Sequence, residues 1–558
     1  MRQGVMVADR SSTAQTLWHR ISGTGPLQVI AALAAALAIW ASAEPLDDYD
    51  AFLHVELGGQ ILSKHRVGGL SADWLGVPQP PGWITSQWLA EVIMHLVTGV
   101  SWHALLALRV LVTVAFVAAL AGALLPGRPA PVAVPIFGLS LAGVVGALDD
   151  RPQTAGLLFL VGLGPICVRL WTTGRRPPVA VVALAVLVWA QLHGTWILAP
   201  AGFLLVAIGL QLDAGRRPAP HLRAALTCVL AALAGVLNPQ GLTSFILPVR
   251  FSRASSMITE WWPTTLAAGF ALSWATVVLA TVLAWARSTL PVPRVEVLWV
   301  LGWTAFGVLS YRNVPPALLM TAPAAVSALT RWYSQGRTPE TAAARRPGLE
   351  SQLLASACAL LVVGSTIVAL IRVPSIDPFA TTPGHRIAAW IAAQPGPVRV
   401  FNAWNASGAL IGLSNGKARL VIDSRVDLWG RDYMAKIGDA ELMSPGWERT
   451  VADFRPDAVV IPRTSALVSG LTLTGWQITI TDGDLVLLLP SQRPNVRHQS
   501  DHYEAPAIGR SDVVGVWRPE GKAEEGDALV LGVDRRQRRH PGCQGPTTPT
   551  ALLPEPLS

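Results

Sequence analysis

Long apolar runs, repeated along most of the chain, constrain the fold more than any other feature of this sequence. A helix that spans a bilayer needs about 20 mainly apolar residues. About eleven runs meet this description, and they lie at 26–43, 104–125, 131–148, 154–172, 178–192, 196–213, 223–237, 264–286, 294–311, 313–331 and 352–372. The sequence therefore predicts a membrane all-α domain over residues 26–372 with about eleven transmembrane helices.

The composition agrees with this prediction and excludes two other classes of protein. Hydrophobic residues make up 51% of the chain and charged residues only 14%, against about 25% charged residues in soluble domains. The net charge of +8 comes from arginines scattered in short loops, whereas a nucleic-acid binder gathers them on one surface. The four cysteines are far apart, so they form neither a disulfide framework nor a metal motif.

The arginines of the short loops predict the orientation of the chain, because loops rich in Lys and Arg stay in the cytoplasm. With residues 1–25 inside, the inner loops carry Arg128, Arg175, Arg176, Arg216, Arg217, Arg223, Arg287, Arg294, Arg331, Arg337, Arg345 and Arg346. The outer loops carry fewer basic residues, chiefly Lys64, Arg66, Arg151, Arg250, Arg253 and Arg312. An odd number of helices then places the chain after about residue 372 outside the cell (inner or plasma) membrane.

The first outer loop, residues 44–103, is the most acidic. Asp47, Asp48 and Asp50 follow the first apolar run directly, and three such close acids repel one another without a structural gain. Asp48 and Asp50 are therefore candidate catalytic carboxylates.

A second segment of this loop has helical periodicity. Gln87, Glu91 and His95 recur every fourth residue and share one face of a predicted helix. An amphipathic helix at the outer interface is the favoured interpretation, and a packed transmembrane hairpin is the alternative.

Later outer loops carry further polar motifs. Ionisable groups at the membrane edge are costly and by default mark functional sites. The motifs are DDRPQ (149–153), QLHG (191–194), NPQG (238–241), TEWWP (259–263) and YRNVPP (311–316).

Each later motif also has a purely structural interpretation. Asn238 and Gly241 suit a turn, His193 suits a tight helical hairpin, and Arg151 could pair with its own neighbouring aspartates. Trp261 and Trp262 either stack on a sugar or belong to an interfacial aromatic belt.

The order of these motifs resembles that of the GT-C membrane glycosyltransferases. More narrowly, the chain is similar to a bacterial family of GT-C-like membrane proteins whose substrates are mostly unassigned, related in pattern to the protein O-mannosyltransferases. The matching residues are Asp48, Asp50, His54, Trp88, Leu89, Glu91, Arg151–Pro152–Gln153, His193–Gly194, Asn238–Pro239, Glu260–Trp261 and Arg312–Asn313. The resemblance continues through Phe401–Asn402, Ser407–Gly408 and Ile422–Asp423–Ser424–Arg425–Val426–Asp427–Leu428, and departs at Leu53 and Ser86, where an aromatic residue and a histidine are expected.

The resemblance implies transfer of a sugar from a polyprenyl-phosphate carrier to a glycan or protein acceptor. Such a reaction needs a base for the acceptor hydroxyl and cations for the departing phosphate. Asp48 or Asp50 would be the base, and Arg151 and Arg312 would hold the phosphate. The other predicted substrate-binding residues are His54, Glu91, Gln153, His193, Asn238, Glu260 and Asn313. No cofactor is required by the sequence, a divalent cation is left open, and nucleic acid is not an expected partner.

Residues 373–490 predict an extracytoplasmic α/β domain. Short strand-like runs (VRVFN, ARLVID, DAVVIP, WQITI and DLVLLLP) alternate with helix-like segments, and Gly483 is expected in the turn of the last pair. Asp423, Arg425 and Asp427 form either a salt-bridged strand end or part of an acceptor site. The polar tail, 491–558, has too little apolar content for a core, and disorder is expected there.

Two other functions compete with glycosyl transfer. A non-catalytic protein of cell-envelope polysaccharide assembly or export could keep the same scaffold. A transporter fits less well, because transporters place polar groups near the bilayer midplane. The enzyme requires Asp48, Arg151 and Arg312 to lie close together.

Overall fold

The computed structural model describes residues 25–68, 83–215, 221–247, 259–335 and 349–491. The predictions for the N-terminus and the polar tail fall, apart from one residue each, outside these ranges. Most described residues are helical. The helices are α1 (Gly25–Ala41), α2 (Asp50–Lys64), α3 (Trp88–Val100), α4 (Trp102–Leu124), α5 (Ala130–Ala142), α6 (Gln153–Thr173), α7 (Val179–Leu192), α8 (Leu198–Ala214), α9 (Leu222–Ala232), α10 (Gly269–Arg287), α11 (Arg294–Leu309), α12 (Val314–Ser334), α13 (Leu349–Arg372), α14 (His385–Ala392), α15 (Ser407–Leu413), α16 (Val426–Glu441), α17 (Trp447–Asp453) and α18 (Ala466–Leu473).

Each predicted apolar run coincides with one of these helices. Within the described ranges, six helical stretches are long and apolar enough to cross a membrane. They are Trp102–Leu124, Ala130–Ala147, Gln153–Thr173, Gly194–Ala214, Gly269–Arg287 and Gln352–Ser375. The chain is a multi-pass membrane protein, as its composition predicts, while the number of about eleven spans and the orientation stay predictions.

The centre of the helical part is α12. Its residues 314–328 are all buried, as expected for a helix that is apolar on every face. It packs against α5, α6, α10 and α11. Glycine permits one of these approaches, because a Cβ atom on Gly164 of α6 would lie 3.1 Å from the Leu319 carbonyl oxygen. This packing brings the starts of α6 and α12 to the same end of the bundle.

The first outer loop folds into two packed helices, α2 and α3. The predicted amphipathic helix is α3, which begins at Trp88. The two helices approach closely because Gly58 and Gly59 of α2 have no side chains. A Cβ atom at Gly58 would collide with the backbone of Glu91, and one at Gly59 with the His95 ring. This approach fixes α3 beside the acidic start of α2.

The predicted strands are present as β1 (Val398–Asn402), β2 (Ala418–Leu420), β3 (Ala458–Pro462), β4 (Trp476–Asp482) and β5 (Leu485–Pro490). They form one five-stranded sheet with the order β2-β1-β3-β5-β4. Strand β1 pairs in parallel with β2 and β3, and β5 pairs antiparallel with β3 and β4. Gly483 forms the β4–β5 turn with a φ of 63°, which only glycine adopts readily. Together with the helices of this region, the sheet confirms its predicted α/β character.

The α/β domain and the first outer loop share a core. Leu53, Leu57 and Ile61 of α2 are buried in the apolar cluster of the domain. Backbone contacts add to this packing, since the Leu46 amide donates to the Pro378 carbonyl over 2.8 Å. The acidic loop is therefore held between the helix bundle and the domain.

Candidate active site

The acidic pair lies where the chain leaves α1 and enters α2. Asp48 precedes the helix, and Asp50 is its first residue. The Asp50 amide donates to Asp48 Oδ1 over 2.9 Å, so one carboxylate tethers the backbone that carries the other. Only 5% of the Asp48 side chain is exposed, and 20% of the Asp50 side chain. Of the two, Asp50 is the more accessible.

Arg151 is the centre of the site. Its Nε donates to Asp48 Oδ2, and its other nitrogens lie 3.5 Å from Asp50 Oδ2 and 3.2 Å from Glu260 Oε1. Asp149 is also close, with Oδ2 3.9 Å from Nε. The predicted pairing of Arg151 with the aspartates of its own loop is thus only a minor part of its contacts. One guanidinium faces four carboxylates that come from three separate loops.

Glu260 joins Arg151 to a second arginine. Arg312 lies 3.3 Å from Glu260 Oε2 and stacks over the ring of Trp261 at 5.7 Å. Glu260 and Arg312 are 42% and 35% exposed, far more than Asp48. Among these charged groups, Asp48 is the most deeply buried, and Glu260 and Arg312 are the most open.

A histidine and a buried acid lie beside Asp50. His54 Nδ1 lies 3.2 Å from Glu91 Oε1, and Thr85 donates to the same oxygen over 2.8 Å. The Gln87 amide nitrogen lies 3.3 Å from both ring nitrogens of His54. Thr85 and Gln87 were not predicted as partners of Glu91 and His54. Their contacts depend on the packing of α2 against α3.

His193 lies in the turn after α7, where its Nδ1 is 2.8 Å from the Thr195 hydroxyl. The pKa of this imidazole is lowered to about 3, chiefly by burial and also by the positive charges of Arg312 and His54. His193 is consequently neutral and acts as a hydrogen-bonding group.

The crowding of acids changes their protonation. Burial raises the pKa of Asp149 to about 7, and the nearby charge of Asp48 adds to this effect against the attraction of Arg151. Burial also raises the pKa of Asp50, again opposed by Arg151. A proton can therefore reside in this cluster near neutral pH.

A second buried ion pair was missed in the sequence. Arg109, in the middle of α4, lies 2.6 Å from Asp150 Oδ2 and donates from Nε to the Ser42 carbonyl over 2.8 Å. It also donates to the Glu44 carbonyl. The available signal was a single arginine inside an apolar run, because such charges need a buried partner. This pair ties the start of the acidic loop to the loop that carries Arg151.

The α/β domain contributes to the site through the segment after β2. The Ser424 side chain interacts with the Asp50 carboxyl. Next to it, Arg425 forms a two-point salt bridge with Asp423, whose closest distance is 2.6 Å, and stacks over Trp83 at 4.8 Å. The salt-bridged strand end considered in the sequence is present. Ser424, which lies between Asp423 and Arg425 in the chain, is the residue of this segment that interacts with Asp50.

Two predicted substrate-binding residues, Asn238 and Asn313, bond local backbone instead of the central charges, and a third, Gln153, bonds Asp149. Asn238 accepts from the amides of Gln240 and Gly241 over 2.7 and 3.1 Å, as in an ordinary turn. Asn313 donates to the Phe306 carbonyl over 2.9 Å, and Gln153 donates to Asp149 Oδ2 over 3.1 Å. Gln153 thus lies at the edge of the site, whereas the side chains of Asn238 and Asn313 stabilise local backbone. Their roles in binding stay predictions.

The carboxylates around Arg151 are ligands of the kind that a divalent cation binds, but Arg151 occupies the space between them. Carboxylate oxygens suit Mg²⁺ or Ca²⁺, but Asp48, Asp50 and Asp149 all face the guanidinium of Arg151. Within the described ranges, no group of three or more His, Cys, Asp or Glu side chains is arranged to hold a metal ion. A divalent cation does not fit the centre of the cluster while Arg151 is there, so the guanidinium is its resident cation.

Comparisons with known proteins give weak structural likenesses. No family model matches the chain, and no curated protein matches it. The crystal structure of an oligosaccharyltransferase from Archaeoglobus fulgidus, tethered to an acceptor peptide with the NVT sequon, is 12% identical with a TM-score of 0.48, over 78% of this chain and 69% of that one. ArnT from Cupriavidus metallidurans, bound to undecaprenyl phosphate, is 15% identical with a TM-score of 0.44, over 82% of this chain and 97% of that one.

A third solved structure is the arabinofuranosyltransferase AftD from mycobacteria. It is 16% identical with a TM-score of 0.45, over 84% of this chain but only 40% of that one. The likenesses are weak, and they carry no information on the substrate of this chain.

Proposed function

We propose that this chain is a membrane glycosyltransferase that moves a sugar from a polyprenyl-phosphate carrier to an acceptor on the side of the membrane that holds the α/β domain. The observation that carries the proposal is the charge network Asp50–Arg151–Glu260–Arg312 at the ends of apolar helices. Sugar transfer from a lipid-linked phosphate needs a cation for the departing phosphate and, next to it, a base for the acceptor hydroxyl.

Asp50 is the better candidate for the base. Both oxygens of Asp48 are engaged, one by the Asp50 amide and one by Arg151. In contrast, Asp50 Oδ1 is buried and accepts no hydrogen bond from the described residues. An unpaired carboxylate oxygen in a partly exposed side chain is free to accept the proton of an acceptor hydroxyl. Asp48 would then position Asp50 through its backbone.

Arg312 is the better candidate for the first contact with phosphate. Its guanidinium is more exposed than that of Arg151, and its forked donors suit phosphate oxygens. The charge of Arg312 acts on His193, whose neutral imidazole could donate or accept a hydrogen bond with the substrate. In the reaction, the acceptor oxygen forms a bond to the anomeric carbon while the bond from that carbon to the phosphate oxygen breaks. The electron pair leaves on the phosphate, and the acceptor proton passes to Asp50.

The acceptor side of the proposal rests on the α/β domain. Ser424 interacts with Asp50 from this domain, so an acceptor that reaches Asp50 would pass along it. The positive-inside rule places this domain outside the cytoplasm. A glycan or a protein outside the cell membrane is therefore the proposed class of acceptor.

The experiment replaces Asp48 and Asp50 separately by Asn in membranes supplied with lipid-linked sugars. We expect Asp50→Asn to lower transfer by at least about 100-fold, the usual contribution of a general base. Asp47→Asn is the matched control, because this neighbouring side chain is exposed. Lipids from a deletion strain identify the donor, since one polyprenyl-phosphate sugar should accumulate. Undiminished transfer in both variants would remove the acidic pair from the chemistry and favour a non-catalytic scaffold.

A further inference from the structure

Glu91 is a deeply buried acid beside the site, with 1% of its side chain exposed. At this depth the carboxylate cannot contact a substrate directly, although the resemblance in sequence implies substrate binding. A buried carboxylate is costly unless a cation or hydrogen-bond donors compensate it. Glu91 has two such partners, the Thr85 hydroxyl at 2.8 Å and His54 Nδ1 at 3.2 Å. Its second oxygen, Oε2, accepts no hydrogen bond from the described residues.

His54 connects Glu91 to the acidic pair. It follows Asp50 by four residues on α2, so the two side chains lie on the same face, one turn apart. Helical side chains tilt toward the N-terminus, which directs the imidazole toward Asp50. The charge of His54 also acts on Asp50. His54 is thus between the candidate base and a buried acid.

The partners of the imidazole define which nitrogen carries a proton. A carboxylate at Nδ1 requires an N–H there, which leaves Nε2 as the acceptor in the neutral ring. Of the ionisable side chains, Glu91 on α3 contacts His54 directly, while the charge of His54 acts on Asp50 of α2 and on His193 in the turn after α7. The side-chain amide nitrogen of Gln87 lies 3.3 Å from both ring nitrogens. His95, the other histidine of α3, instead has its Nδ1 3.1 Å from the Val55 carbonyl oxygen. Glu91 is the acid that would neutralise a doubly protonated His54.

We propose that His54 and Glu91 form a proton-accepting pair behind Asp50. This inference rests on the proposed function and assigns a role to Glu91, which is too deeply buried for substrate to reach. Asp50 takes the proton as the new bond from the acceptor oxygen to the anomeric carbon forms and the bond to phosphate breaks. The proton then passes from Asp50 to Nε2 of His54, and Glu91 balances the charge of the imidazolium. Asp50 is thereby ionised again for the next acceptor, and His54 releases the proton to water after the products leave.

The test compares Glu91→Gln and His54→Gln with the wild-type chain in proteoliposomes that contain the polyprenyl-phosphate sugar identified from the deletion strain. Both variants keep the size of the side chain, and Gln at position 91 still accepts from Thr85. We expect kcat to fall about 100-fold, with the KM for the donor changed by less than about twofold and a larger solvent deuterium isotope effect on kcat. Glu91→Asp should recover part of kcat. The control is Glu56→Gln, which removes a carboxylate on α2 that bonds only Gln60 in the described structure.

Binding of undecaprenyl phosphate, measured by native mass spectrometry, separates the outcomes without turnover. The pair predicts unchanged binding in both variants. Wild-type kcat and isotope effect in both variants would overturn the pair while leaving the proposed function intact, and so would weaker binding with an unchanged kcat. A wild-type chain that transfers no sugar would refute the proposed function and the pair together. If Glu91→Gln fails to fold, His54→Gln decides, since His54 lies at the edge of the site.

Discussion

Removal of the guanidinium of Arg109 should be among the most damaging single changes in this protein. Its partner Asp150 has 1% of its side chain exposed, and Arg109 itself has 3%. Arg109→Met would leave this carboxylate buried without its cation. It would also leave the carbonyls of Ser42 and Glu44 without their donor. Breaking one partner of a buried pair costs about 3–5 kcal/mol, so we expect a loss of this size in the free energy of unfolding.

The loss of stability caused by Arg109→Met should depend on pH. Burial raises the pKa of Asp150 from 3.8 to about 7, although Arg109 opposes the change. The protonated carboxyl therefore stabilises the fold fully below about pH 4, and this contribution is lost as the pH rises through about 7. Without Arg109 the ionised carboxylate is less favourable still. The destabilisation by Arg109→Met should consequently be smaller at pH 5 than at pH 8.

The measurement is unfolding in detergent, followed by the fluorescence of the 22 tryptophans at both pH values. The matched variant is Arg109→Met combined with Asp150→Asn, which removes the buried charge and should recover at least about 1 kcal/mol. Two results would contradict the reasoning: a loss below about 1 kcal/mol in the single variant, or a double variant in which the two losses simply add. Either would mean that water or another cation reaches Asp150.

Two further predictions use glycines that allow close packing at the site. Gly408→Ala should destabilise the contact of α15 with α2 by about 1–3 kcal/mol and lower sugar transfer, because the new Cβ atom would meet the Tyr49 carbonyl oxygen. Gly438→Ala, in α16 with nothing within 4 Å, should instead leave transfer unchanged and raise the unfolding temperature slightly. Gly156→Ala in α6 should displace Thr195, with whose hydroxyl the new Cβ atom would collide, and with it His193, whose Nδ1 would lie 3.2 Å away; the KM for the lipid donor should rise more than kcat falls. Gly162→Ala in the same helix meets nothing within 4 Å, and a change in KM there as large as in Gly156→Ala would refute this explanation.

The helices of the apolar runs and the strands of residues 373–490 could be predicted from the sequence. Apolar runs and alternating patterns are local properties, and a segment with such a pattern buries the same face wherever it packs. The predicted apolar runs and strand-like segments coincide with helices and strands at nearly the same bounds, whereas the helix α2 (Asp50–Lys64) was not predicted. The acidic start of α2 was also visible, since close carboxylates rarely serve structure alone.

Pairing between charges could not be predicted in the same way. In the sequence, pairing of Arg151 with its own loop was the structural alternative to phosphate binding, yet Arg151 bonds Asp48, which is 103 residues away, while the adjacent Asp150 pairs with Arg109. A charge finds its partner in three dimensions, and the choice depends on how α4, α6 and α12 pack. Because a buried charge must be neutralised, the packing decides the partner and not the spacing in the chain.

Which polar residues lie in contact depends on how elements that are far apart in the chain pack together. The tertiary structure separated Asn238, whose side chain stabilises a turn, from Glu260, which joins two arginines. It also brought Ser424 of the α/β domain to Asp50, through the apolar contact of α2 with that domain. Sequence pattern specifies each element through its own buried face, whereas the site arises from contacts between elements that lie far apart in the chain. The apolar runs therefore predict a membrane protein, whereas the packing of the helices brings its charged residues together into a site.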